Sequence, residues 1–77
     1  MSTPAEHRTK VQEHFAKKAL HRSYPDETHM ATAEVHAILA SKAGTGDAYA
    51  TADALLAADA GRGFKVHDAK LHALLAD

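Results

Sequence analysis

Half of the apolar side chains in this sequence are single methyl groups: 18 of its 35 hydrophobic residues are alanine, in a chain of 77. Alanine is the best helix former and a poor filler of a core. A chain built this way can form helices that approach closely, but it has little bulk with which to cover a sheet or enclose a cavity. The larger apolar residues are three Val, one Ile, seven Leu, two Phe, two Tyr and two Met. A domain of this length buries only about 60% of its unfolded surface, so its stability margin is thin. Two outcomes fit: a tight alanine-lined bundle, or a core completed by a second copy of the chain. A homodimer is therefore an expectation from composition.

Helix start and stop signals divide the sequence into four segments. Thr3-Pro4-Ala5-Glu6 carries a capping residue, a proline suited to the first helical position and the glutamate of a capping box. The first helix is predicted over 4–22, ended by Pro25, which disfavours helical geometry at Tyr24. The second is predicted over 28–43, with Ala31, Val35, Ile38 and Leu39 on one apolar stripe. Gly44-Thr45-Gly46 stops it, and Thr45 or Asp47 is expected to cap a third helix over 47–60 that carries Tyr49, Ala52, Leu55 and Leu56. Gly61 suits the left-handed position after that helix. A fourth helix is predicted over 66–76, with His67, Leu71, Leu74 and Leu75 as its packed face. No segment alternates as a strand does. The predicted fold is all-α: a compact four-helix domain, residues 1–77, built from two αα-hairpins. A shift of 36 residues lays Glu34–Ala40 on Lys70–Ala76, which suggests that the hairpins are repeats.

Seven histidines are unusual in so short a chain. His7, His14 and His21 are spaced by seven residues, and so are His29 and His36. Seven residues is two helical turns, so each set forms a row. The first row should flank the apolar stripe of Val11, Phe15 and Ala19, and the second should face solvent. Neighbours within a row are ~10.5 Å apart at 1.5 Å per residue, too far to share an ion. A metal site would need two helices or two subunits, and no metal ligand is assigned. A collective pH response is the other functional reading of the rows. His67 reads as a packed histidine at a helix start.

The net charge of −1 hides a separation. Residues 1–22 carry Arg8, Lys10, Lys17, Lys18 and Arg22 against Glu6 and Glu13, whereas residues 23–77 carry four cations against eight acids. The expected partner-binding surface is therefore the exposed face of the first helix: Arg8, Lys10, His14, Lys17, Lys18, His21 and Arg22. The expected partner is another protein or a second copy of this one. A nucleic-acid-binding regulator using the same basic face is the alternative, as is a histidine-based metal-binding protein. The chain is not basic overall, and no aromatic residues interleave with its lysines to stack bases.

Serines outside any nucleophile elbow, glycine pairs too short for phosphate-loop fingerprints and the small core volume point away from catalysis. No cofactor or small-molecule substrate is evident. Cysteine is absent, so thiolate metal sites and disulfides do not arise. No apolar run reaches the ~18 residues of a membrane span, and Met1–Glu6 has no apolar leader segment. A cytoplasmic location is the expectation, and the high alanine content with aspartate and threonine fits a GC-rich bacterial or phage genome.

Overall fold

The computed structural model describes residues 1–77, and the four predicted helices are present: α1 (Pro4–Leu20), α2 (Glu27–Ala40), α3 (Asp47–Asp59) and α4 (Val66–Leu75). The capping box forms as its sequence dictates. The Thr3 side chain accepts from the Glu6 amide, and the Glu6 carboxylate accepts from the Thr3 amide. Asp26 caps α2 by accepting from the His29 amide at 2.9 Å.

The start of α3 departs from expectation. Gly46, at φ 89°, is its N-cap, and neither Thr45 nor Asp47 caps it. A side-chain cap works from extended backbone, and the glycine turn gives that geometry away. At the other end of α3 the left-handed position falls on Ala60 as well as on Gly61. The buried Asp59 then spans the turn, accepting from the Gly63 and Lys65 amides at 2.8 Å each. These amides hold its carboxyl below the ordinary aspartate value. Asp59 thus fixes the loop that leads into α4, whose N-cap, Lys65, makes no side-chain cap of its own.

The helices pair as two hairpins, α1 on α2 and α3 on α4, and the hairpins join where α2 packs on α4. The core lies in the second hairpin and the joint: Val35 and Leu39 from α2, Tyr49, Ala52 and Leu56 from α3, and Val66, Ala69, Ala73 and Ala76 at α4. Four of these nine residues are alanine, and Ala52, Ala69 and Ala73 have no exposed surface. Methyl groups at a helix contact let the backbones come close, and this decides which face of α4 turns inward.

The predicted packed face of α4 is consequently wrong. Leu71, Leu74 and Leu75 are exposed, and so is His67. A leucine face would hold α4 away from α3; an alanine face seats it. The predicted stripe of α1 is turned out too. Phe15 is 61% exposed, Ala19 is exposed, Val11 is half-buried, and the only residue α1 buries is His7. The loop after α2 holds the start of α1 instead. Gly44, at φ 88°, lies so near Pro4 that a Cβ would come within 2.8 Å of the ring, so only glycine fits both the turn and the contact.

Candidate functional site

The α1–α2 interface is polar, and the histidine rows make it so. His7 is 2% exposed. Its Nε2 donates to Asp53 Oδ1 at 2.7 Å, and its Nδ1 meets Nδ1 of His36 at 2.8 Å. The His36 ring is tilted against His7 with centroids 5.0 Å apart, and the Tyr49 ring stands edge-on to His7. Asp53 also accepts from the Ser2 amide, and the Tyr49 hydroxyl donates to the Ser2 carbonyl at 2.7 Å. Burial and the Asp53 charge push the Tyr49 phenol up, which keeps it a donor. This cluster pins the N-terminal turn of α1 to α3.

The second row was expected to face solvent, and His36 does not. α1 brings its polar side to α2, so His36 turns toward His7 and Lys10. Burial, followed by the neighbouring His7 and Lys10 charges, lowers its pKa from 6.5 to about 4, with Asp53 and Glu13 opposing in part. The unfolded chain therefore takes up a proton at His36 below about pH 6.5 that the folded chain refuses until about pH 4. Stability is expected to fall with pH across that window. A shift of this size corresponds to about 3 kcal/mol, and with the ring half open to solvent about 1–2 kcal/mol is expected. Urea midpoints at pH 7 and pH 4.5 check this: His36→Gln should lose much of the difference. An equal difference in both proteins would remove the assignment.

Beyond His36 the two helices leave a groove of about 200 Å³. Lys10, Glu13, His14 and Lys17 line it from α1; Thr28, His29, Thr32 and His36 line it from α2; and Tyr24 closes one end. His14 Nδ1 pairs with the Tyr24 hydroxyl at 2.7 Å, and His29 Nδ1 with Asp26 Oδ1 at 2.7 Å. The Thr32 hydroxyl oxygen is buried and makes no hydrogen bond. No three His, Asp or Glu side chains are arranged to hold a metal ion.

α1 ends at Leu20 rather than at the predicted 22, leaving His21 and Arg22 in the loop after it, and the basic residues of this segment divide between two faces. Lys10, His14 and Lys17 line the groove, whereas Arg8, Lys18, His21 and Arg22 are exposed outside it. Phe15 and Leu20 share the exposed part of the helix. Sequence reasoning missed that the two histidine rows meet. The signal was available: an antiparallel hairpin pairs positions of constant sum, and His7 with His36 and His14 with His29 obey that rule.

No helix is long and apolar enough to cross a membrane. The chain matches no family model, and no curated protein or solved structure matches it.

Proposed function

We propose that this chain acts by protein–protein association, and that its first partner is a second copy of itself. The observation that supports this reading is the placement of its large apolar side chains. Phe15 and Leu20 on α1, Phe64 before α4, and Leu71, Leu74 and Leu75 on α4 are all exposed, while alanines fill much of the core. Leu71, Leu74 and Leu75 fall on one side of α4 by helical spacing, and an apolar group of this kind is a candidate binding surface. The accessible surface is 5037 Å², against the ~4,500 Å² usual for a monomer of this mass. A standard interface would cover about 800 Å² of it per subunit.

Charge selects the occupant. Phe15 of α1 is flanked by Lys18 and, just beyond the helix, Arg22, and the leucines of α4 by Asp68 and, just beyond the helix, Asp77. The outer face of α1 in one copy complements the outer face of α4 in another. A twofold axis makes this contact twice, once in each direction, and closes the assembly. Two α1 helices facing each other would instead oppose their own cations.

Sedimentation equilibrium tests this reading. The native chain is expected to be a dimer at tens of micromolar, and Leu71→Glu with Leu75→Glu a monomer of unchanged helicity. Arg22→Glu should weaken the dimer by about tenfold, and adding Asp68→Arg should recover part of that loss. A native chain that stays monomeric at hundreds of micromolar would overturn self-association.

A further inference from the structure

We propose that the groove between α1 and α2 binds a short chain of linked phosphoryl groups. Three histidines line it, and they share one arrangement. Nδ1 of His14 is held by the Tyr24 hydroxyl, Nδ1 of His29 by the Asp26 carboxylate, and Nδ1 of His36 by His7. None of the three Nε2 atoms has a protein partner among these contacts. Each ring is therefore fixed through its Nδ1, and its far nitrogen is unpartnered in a residue that lines the groove.

Two lysines set the sign of that ligand. Lys10 stands beside His36 at one end of the groove. Lys17 stands at the other with His14 and His29 around the Tyr24 ring, its Nζ 6.0 Å from the ring centroid. Lys17 forms no ion pair. Lys10 has only the exposed Glu13 at 3.7 Å, a contact that a stronger anion can replace. Ammonium groups favour an anion over a metal cation and bind phosphate as point charges.

Spacing sets the length of the ligand. Lys10 and Lys17 are two helical turns apart, and so are His29 and His36, which puts the two ends ~10.5 Å from each other. A single phosphate reaches one end only; a phosphoanhydride chain reaches both. Between the ends lies Thr32, whose hydroxyl is buried without a partner. Phosphoryl oxygens suit the lysines and histidines of the lining: they accept from lysine or an Nε2–H, and when protonated they donate to an Nε2 lone pair; the exposed Glu13 carboxylate opposes them and must turn away as Lys10 is released. At about 200 Å³ the groove is below the usual size of a small-molecule pocket. A phosphate chain fits it, and an attached nucleoside would remain outside.

Tripolyphosphate is the probe, followed by calorimetry and by nitrogen shifts of the histidine rings at 50 mM salt. Saturable one-site binding is expected, with Nε2 shifts at His14, His29 and His36 and none at His67 or His72. Lys10→Gln and Lys17→Gln should each weaken binding by about tenfold, as loss of one charge-assisted contact does. Lys65→Gln, outside the groove, should leave it unchanged. Orthophosphate should bind at least about tenfold more weakly than the chain, and ATP about as tightly. The monomeric Leu71→Glu/Leu75→Glu protein should bind as the native one does, so this site and self-association fail separately. Four results would overturn the assignment: no saturable binding, equal loss in Lys65→Gln, shifts spread over all the histidines, or binding of ATP without binding of tripolyphosphate.

Discussion

Replacing His7 with alanine is expected to destabilise the protein by about 3 kcal/mol, the upper end of what stranding a buried hydrogen-bonding group costs. The change removes three things together. Asp53 loses its 2.7 Å partner, His36 loses its Nδ1 partner, and α1 loses the only side chain it buries. Domains of this size have a total stability of only about 4–12 kcal/mol. The loss should therefore appear as a large drop in the urea midpoint. It should also be uneven. Amides of α1 should exchange with solvent much faster, while those of α3 and α4, whose contact does not involve His7, change less. A cycle with Asp53→Asn separates the pair from the helix: strong coupling is expected, because either single change strands the other group. An unchanged urea midpoint in His7→Ala would show that the cluster does not hold α1.

The second large effect is at Leu39. With Val35 and Tyr49 it is one of the largest side chains that are fully enclosed. Leu39→Ala should cost about 2–5 kcal/mol through lost transfer energy and the cavity left behind. The neighbouring core is rich in alanine, and short side chains have little reach with which to fill a hole. We therefore expect the upper half of that range and a chain partly unfolded at 37 °C, read from thermal melts. Leu75→Ala is the control. Leu75 is 75% exposed, and in melts of the otherwise native chain diluted until it is monomeric its truncation should leave the melting temperature almost unchanged. Equal losses at the two leucines would contradict this division into core and surface.

The four helices and their starts were legible in the sequence because their causes are local, whereas α1 and α2 stop at Leu20 and Ala40, short of the predicted 22 and 43. Thr3, Pro4 and Glu6 act within one turn; the cap of α2 by Asp26 came only with the structure. The stripe of α2 was legible too, since Val35 and Leu39 are buried as their spacing implies. The cap of α3 was not, because the backbone of Gly46, rather than the polar residues beside it, sets that turn. The inward faces of α1 and α4 were misread for a shared reason. Periodicity identifies a helix face by its largest apolar residues, but a close helix contact is made by its smallest ones. α4 buries Ala69 and Ala73 and exposes Leu71, Leu74 and Leu75. α1 buries a histidine and exposes Phe15.

The same distinction runs through the candidate sites. The sequence alone determined four helices, a basic first segment and two histidine rows at two-turn spacing, because composition and short-range geometry are sufficient for those. It also determined that no ion could bridge neighbours within a row. Only the tertiary structure decided that the rows face each other across one hairpin, that Asp53 comes from another helix to hold His7, and that the basic residues of the first segment divide between a groove and an outer face. Those outcomes depend on how closely α3 and α4 approach and on which side of α1 meets α2. Contacts between residues distant in the chain fix both, and local spacing does not encode them.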